Sequence, residues 1–272
     1  MGIAVPTDEA VRSLEGLHLY HANRSNCSAR VRMLLEEKRL DWTSHHIDLG
    51  RKENISEDYF GINPKGLVPS LVHDGTVVVE SNDIMVYLEE TFPAPGFRSV
   101  PSERQAEIDY WLKKSGDMHL PAIKTFQYSK VNSRLVKKTE EEETLYWKLQ
   151  KDPELLTFHG KHSRGKSFSD ADLEGATALL DGIFAEMDRT LTGREWLVGD
   201  AYTLADISWA PTVTTLMGGG YDFTPYPSVR RWYGVVSARP QFEKAVTEWR
   251  RKAAYAAAAD PTVSEPPPTP GG

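Results

Sequence analysis

The chain has 272 residues, with 32 Lys and Arg against 39 Asp and Glu, a formal net charge of −7. That balance lacks the basic excess that a general nucleic-acid or membrane-surface binder needs. With 40% hydrophobic and 26% charged residues and a single cysteine, Cys27, the composition is globular, without a disulfide framework or a multi-cysteine zinc or iron–sulfur site.

The first sixteen residues, MGIAVPTDEAVRSLEG, carry acids and no apolar targeting core, and no stretch approaches the roughly 18 apolar residues of a membrane span. A reducing, cytoplasmic setting is expected. Leu17 to Tyr20 reads as a strand and Ser28 to Lys38 as a helix with Val31, Leu34 and Leu35 on one face. A second strand is expected at Thr43 to Ile47 and a polar helical stretch at Asn54 to Phe60. Two β-prone runs, PSLVH and TVVVE, flank Asp74-Gly75, a dipeptide that signals a tight hairpin. Ser81 to Thr91 returns to helical spacing and is stopped by Pro93 and Pro95.

After the proline-bearing loop Thr91 to Pro101 almost nothing reads as a strand. Ser102 with Gln105 has the pattern of a capping box opening a long helix, and Glu140 to Leu149, Asp170 to Leu191 and Leu204 to Leu216 are further helices. The acidic run Glu140 to Glu143 fits a solvated helix start. Five of the last thirteen residues are proline, so the end has nothing to bury. The expected organisation is an extension at 1–16, an α/β unit at 17–92, a linker at 93–101, an all-helical unit at 102–259 and a disordered proline-rich tail at 260–272.

Chemistry concentrates where the first strand ends. Ser25, Asn26, Cys27 and Ser28 cluster at a helix N-terminus, where free backbone N–H groups and the helix dipole favour an anion. Ser28 is expected to be the cap of that helix. Val68-Pro69 precedes a strand, and local sequence alone favours a trans bond there. The eight histidines show no metal-ligand spacing, so no metal is expected. Thr203 with Asp206 reads as a structural cap, and Trp196, Trp209, Trp232 and Tyr233 read as core or interface aromatics.

Three ordered segments, RSNCSARVRMLLEEKRLDW, NPKGLVPSLVHDGTVVVESNDIMVYLEETFP and WLVGDAYTLADI, resemble the cytosolic glutathione transferases over roughly residues 17 to 250. The first is similar to the zeta and tau classes, and the second also resembles the bacterial glutathione-dependent β-aryl-etherases. The resemblance implies a thioredoxin-like α/β N-terminal domain followed by an all-α C-terminal helical bundle domain, with glutathione as cosubstrate. It further implies that Ser25 donates a hydrogen bond to the glutathione thiolate, that the backbone of Val68 pairs with the cysteinyl amide, that Pro69 is cis, and that Glu80 and Ser81 hold the γ-glutamyl end. Leu67 stands where many members carry Gln or Lys, so Lys52, or else Lys65, is left to meet the glycyl carboxylate. A homodimer, or a heterodimer with a paralogue, is also implied, together with a small hydrophobic electrophile.

Physical chemistry supports such a site on its own terms. A free thiol with a pKa near 8.5 is only about 3% thiolate at pH 7, and lowering the pKa by about two units, roughly 2.7 kcal/mol, makes thiolate the majority form. Tyr110, Trp111, Met118, His119, Phe126 and Tyr128 supply an aromatic stretch suited to walling an electrophile. Three uses of the site stay open: thiol transfer through Ser25, by conjugation or by β-ether cleavage; reductive or isomerase chemistry through a mixed disulfide at Cys27; and a non-catalytic binding module, docked through the insert at Lys151 to Phe168 and the tail.

Overall fold

A computed structural model describes residues 2–130, 137–163 and 166–259. The first elements are β1 (Ile3–Ala4), a 3₁₀ turn (Ala10–Ser13), β2 (Leu17–His21), α1 (Asn26–Lys38), β3 (Thr43–His46), α2 (Glu57–Ile62), β4 (Ser70–His73), β5 (Thr76–Val79) and α3 (Ser81–Thr91). The sheet order is β1-β5-β4-β2-β3, with β2 and β3 parallel and the other pairs antiparallel. The sheet thus reaches back to Ile3, a two-residue strand too short to leave a pattern in sequence.

Alternation along the strands explains the layering, because successive side chains point to opposite faces. Leu19, Leu71 and Val78 join the core beneath α1 and α3, while Val72 and Val77 pack against Tyr59 and Ile62 of α2. The β4–β5 turn has Asp74 at φ 47° and Gly75 at φ 77°, the paired positive values that a two-residue turn matching strand twist requires.

The bond before Pro95, like that before Pro69, is cis. Lys38 reaches this linker from the end of α1, donating to the carbonyls of Phe92 and Pro95 at 2.7 Å each and pairing with Glu89 at 2.7 Å. Glu89 in turn accepts from the N–H groups of Phe97 and Arg98. A buried ion pair is stabilising only when its remaining hydrogen-bond capacity is met, as these four contacts do.

The helical part comprises α4 (Ser102–Asp117), a π-helical turn (His119–Lys124), α5 (Thr125–Lys130), α6 (Glu140–Leu149), α7 (Pro153–Gly160), α8 (Asp170–Thr190), α9 (Leu204–Gly218), α10 (Pro227–Ser237), α11 (Pro240–Phe242), a second π turn (Glu243–Thr247) and α12 (Glu248–Ala259). The expected capping box at Ser102 is absent: Pro101 is the cap, Ser102 is the first helical residue, and the Gln105 amide is spent on the carbonyls of Arg98 and Val100. The box at Thr203 is present, with Asp206 returning a bond to the Thr203 N–H. The tail, 260–272, lies outside the described residues.

One core spans both parts, running from Leu19, Val31 and Leu35 to Phe184, Trp209 and Trp232. Helix α9 is its axle, buried along nearly its whole length against α1 and α4. Trp196 and Tyr233 pack at its margin. Each fully buried large apolar side chain here contributes about 1.5–3 kcal/mol. No helix among the described residues is long and apolar enough to cross a membrane.

Candidate active site

Helix α1 starts at Asn26, two residues earlier than its sequence suggests, and its cap is Ser25 rather than Ser28. The Ser25 hydroxyl accepts from the Ser28 N–H at 3.1 Å. Ser28 is fully buried, and its hydroxyl accepts from the Ala22 N–H at 3.2 Å, which holds the β2–α1 loop against the helix. Ser25 is only half-buried, and among the described residues its hydroxyl proton has no acceptor. A capping serine uses a lone pair, so the O–H remains available to a ligand at the positive end of α1.

Opposite this loop, the bond between Val68 and Pro69 is cis, as the family resemblance implies and against the local preference. Tyr59 and Asn63 carry the loop: both donate to the Leu67 carbonyl, at 2.7 and 2.8 Å, and both meet the Ser70 hydroxyl. Neither the N–H nor the C=O of Val68 is taken up among the described residues. An open donor and acceptor on one extended residue is what strand-like pairing with a peptide uses.

Glu80 sits between β5 and α3 at φ 66°, a left-handed conformation that costs a non-glycine residue about 1–3 kcal/mol and recurs at ligand sites. Its carboxylate meets Lys65 at 2.8 Å, and Lys65 lies 3.5 Å from Asp152. Burial alone depresses the Lys65 ammonium, but the bond to Glu80 and the charges of Glu80 and Asp152 raise its pKa. Lys65 is therefore tied to Glu80, away from the glycyl role that sequence left open for it. Ser81 opens α3, buried, and its hydroxyl accepts from Arg30 Nη1 at 3.3 Å. Arg30, 1% exposed, also donates to Thr212 at 3.0 Å, while its Nε has no partner. Lys52 lies 6% exposed at φ 58°, with Nζ 3.5 Å from the Leu49 carbonyl.

Cys27 occupies the first turn of α1, half-buried, with Sγ 3.6 and 3.7 Å from Nε2 and Nδ1 of His119. Pro121 accounts for where His119 sits: lacking an N–H, it forces the wider π turn in which Ile123 donates to the Met118 carbonyl five residues back. Burial, then the charges of Lys124 and Arg30, push the His119 pKa well down, so the imidazole is neutral at physiological pH.

Of the other expected wall residues, Trp111 and Phe126 are core, and Tyr110 is on the surface bonded to Glu186. Tyr128 meets Phe158 at a tilt and His162 edge-on. Of the insert Lys151 to Phe168, Asp152 lies 3.5 Å from Lys65 of the sheet unit, and just before it Lys148 donates to Glu57 at 2.7 Å and Gln150 to the Lys65 carbonyl at 2.9 Å. Sequence reasoning missed the contacts of His119 and Arg30, which join residues far apart in the chain and leave no local signature.

A thioredoxin-like sheet unit with an open backbone pair at a cis-proline, joined to a helical unit through an N-capped central helix, is the architecture of a glutathione-dependent transferase. Residues 19–96 match the glutathione S-transferase N-terminal domain family and residues 170–234 match its C-terminal domain family. A Caenorhabditis elegans protein named as a probable maleylacetoacetate isomerase is 32% identical over 82% of this chain and 90% of its own. Protein LigF of a Sphingobium species is 27% identical over 87% of this chain and 95% of its own. The crystal structure of that β-etherase superposes with a TM-score of 0.76, covering 84% of this chain and 98% of LigF. The chain belongs to the glutathione S-transferase family, whose cosubstrate is glutathione.

Proposed function

We propose that the protein activates the glutathione thiol through Ser25 for attack on a small aromatic electrophile, with β-aryl-ether cleavage as the particular reaction. The observation that carries this reading is the Ser25 hydroxyl: it caps α1 with a lone pair and keeps its proton for a sulfur at the positive end of that helix. Val68 would align the cysteinyl backbone, Glu80 and Ser81 the γ-glutamyl end, and Lys52 the glycyl carboxylate. In ether cleavage the thiolate carbon–sulfur bond forms as the carbon–oxygen bond breaks, the aryl oxygen leaving with the electron pair and taking up a proton. The likeness to LigF supports the ether subclass. A cytoplasmic dimer belongs to the same reading.

Glu80 and Ser81 grip the peptide far from sulfur, which is binding shared equally by ground and transition states. Glu80→Ala and Ser81→Ala are therefore expected to raise the KM for glutathione about tenfold while changing kcat less than threefold. Initial rates over a range of glutathione concentrations check this, and a collapse of kcat at saturation would give the pair a chemical role.

One observation favours a second reading, the contact of Cys27 with His119. There the Cys27 thiolate attacks the sulfur of a glutathione conjugate, forming a protein–glutathione disulfide while the substrate carbon departs with the electron pair and is protonated. The first reading expects Cys27→Ser to keep most activity and intact-protein mass spectrometry during turnover to show no adduct. A stoichiometric glutathione adduct, with activity abolished in the serine variant, establishes the second reading instead.

A further inference from the structure

The segment 2–13, ahead of β2, carries no site residue, yet it touches both arms of the candidate glutathione site. At its start Ile3 pairs with Val78 and Ala4 with Val77, and the Gly2 carbonyl accepts from the Val79 N–H at 2.7 Å. Val79 immediately precedes Glu80. A Cβ on Gly2 would come 2.5 Å from the Val79 carbonyl oxygen, so the segment lies hard against the strand that leads into Glu80 and Ser81. Further on, Thr7 and Asp8 donate their N–H groups to the Gly61 carbonyl, at 2.8 and 3.4 Å. Val11, 2% exposed in the 3₁₀ turn, packs in one cluster with Tyr59 and Ile62 of α2 and with Val72 and Val77 of the sheet.

Helix α2 has only six residues, too few to hold together on backbone hydrogen bonds alone. Gly61 lies in its last turn, where carbonyls have no partner within the helix. The segment supplies that partner and adds Val11 to the helix's buried side. Tyr59 of α2 and Asn63 just after it hold the Leu67 carbonyl and the Ser70 hydroxyl, on either side of the cis bond. Where α2 sits therefore decides where Val68 sits, and Val68 rests against the same cluster.

We propose that the segment 2–13 is a brace for glutathione binding: it holds α2, and through Tyr59 the Val68-Pro69 loop, in the arrangement that takes the peptide. The inference rests on the transferase reading, in which Val68 pairs with the cysteinyl backbone. Without the brace α2 opens, and the apparent affinity for the peptide falls with the fraction of time it is closed. Val11 is a positioning residue, because it acts on the site through Tyr59.

Titration with S-methylglutathione and amide hydrogen exchange test this on the full chain, on a variant lacking residues 2–13 and on Val11→Ala. The dissociation constant should rise about tenfold in the deletion, as for an α2 closed about a tenth of the time, and about threefold in Val11→Ala, where a cavity loosens the contact. Val11→Ile should return it toward the native value. Exchange should quicken over residues 57–70 and stay native in α8 and α9. Val11→Ala keeps every backbone contact of the segment, so it reports even where the deletion folds poorly. An unchanged dissociation constant in both variants overturns the proposal, as does exchange that stays native at 57–70 or quickens evenly through the chain, which would make the segment a general stabiliser. Faster exchange confined to 57–70 in the variants, with no binding of S-methylglutathione by the native protein, keeps the brace and removes the transferase reading.

Discussion

Ser25→Ala should lower the glutathione-dependent rate at saturating glutathione about 25-fold at pH 7, as the thiolate fraction falls from about 76% to about 3%, with the deficit shrinking as pH rises. The size follows from the pKa shift the site must supply, about two units or 2.7 kcal/mol of thiolate stabilisation. At high pH the free thiol ionises unaided and the hydroxyl has less to add. The same substitution also removes the cap of α1, at a cost of about 1 kcal/mol in stability, because the Ser28 N–H loses its acceptor. Ser25→Asp separates the two effects. Aspartate caps a helix as well as serine does, so the fold is kept, but it has no proton to donate and places a negative charge against the thiolate. It should match the native protein in Tm and fall below even the alanine variant in rate.

Asp206→Ala should produce the largest loss of stability of any single substitution considered, about 3 kcal/mol or more. The carboxylate is fully buried at the start of α9 and accepts from Leu197 N–H at 3.0 Å, Thr203 N–H at 2.9 Å and Trp232 Nε1 at 2.8 Å. Removing it strands three buried donors in the axle of the core. Asp206→Asn keeps one oxygen for Leu197 and Trp232 but turns an amide N–H toward the Thr203 N–H, so an intermediate loss is expected. Burial raises the Asp206 pKa to about 6, against the donors that pull it down. The folded pKa lies above the unfolded one, near 3.8, so the fold binds this proton more tightly than the unfolded chain. The resulting stabilisation is complete below the unfolded value and is lost as pH rises through about 6. Denaturant unfolding from pH 4 to 7 should show that decline in the native protein and a flatter profile in the asparagine variant.

Much of the frame was readable before any coordinates. Ser81–Thr91 and Glu140–Leu149 form the helices their spacing predicts, and Asp74-Gly75 makes the expected hairpin. The α/β unit and the all-helical unit follow from the same patterns, and the family likeness implied that the first is thioredoxin-like. What escaped was set by tertiary context. Ser25, Asn26 and Ser28 are all competent caps, and only the need of the Ala22 N–H for an acceptor draws Ser28 inside. Ser102 and Gln105 have the spacing of a capping box, but the carbonyls of the preceding loop claim the glutamine. Pro69 carries no local mark of its cis bond, which only the family likeness implied. His119 meets Cys27 through packing that no window of sequence contains.

If Ser25 makes bound glutathione a thiolate, the ultraviolet absorbance of the thiolate measures it directly. A pH titration of glutathione bound to the native protein should give a midpoint about two units below that of free glutathione, with the Ser25→Ala complex returning most of the way to the free value. A bound thiol that titrates like the free one, or an unchanged midpoint in the alanine variant, would contradict it.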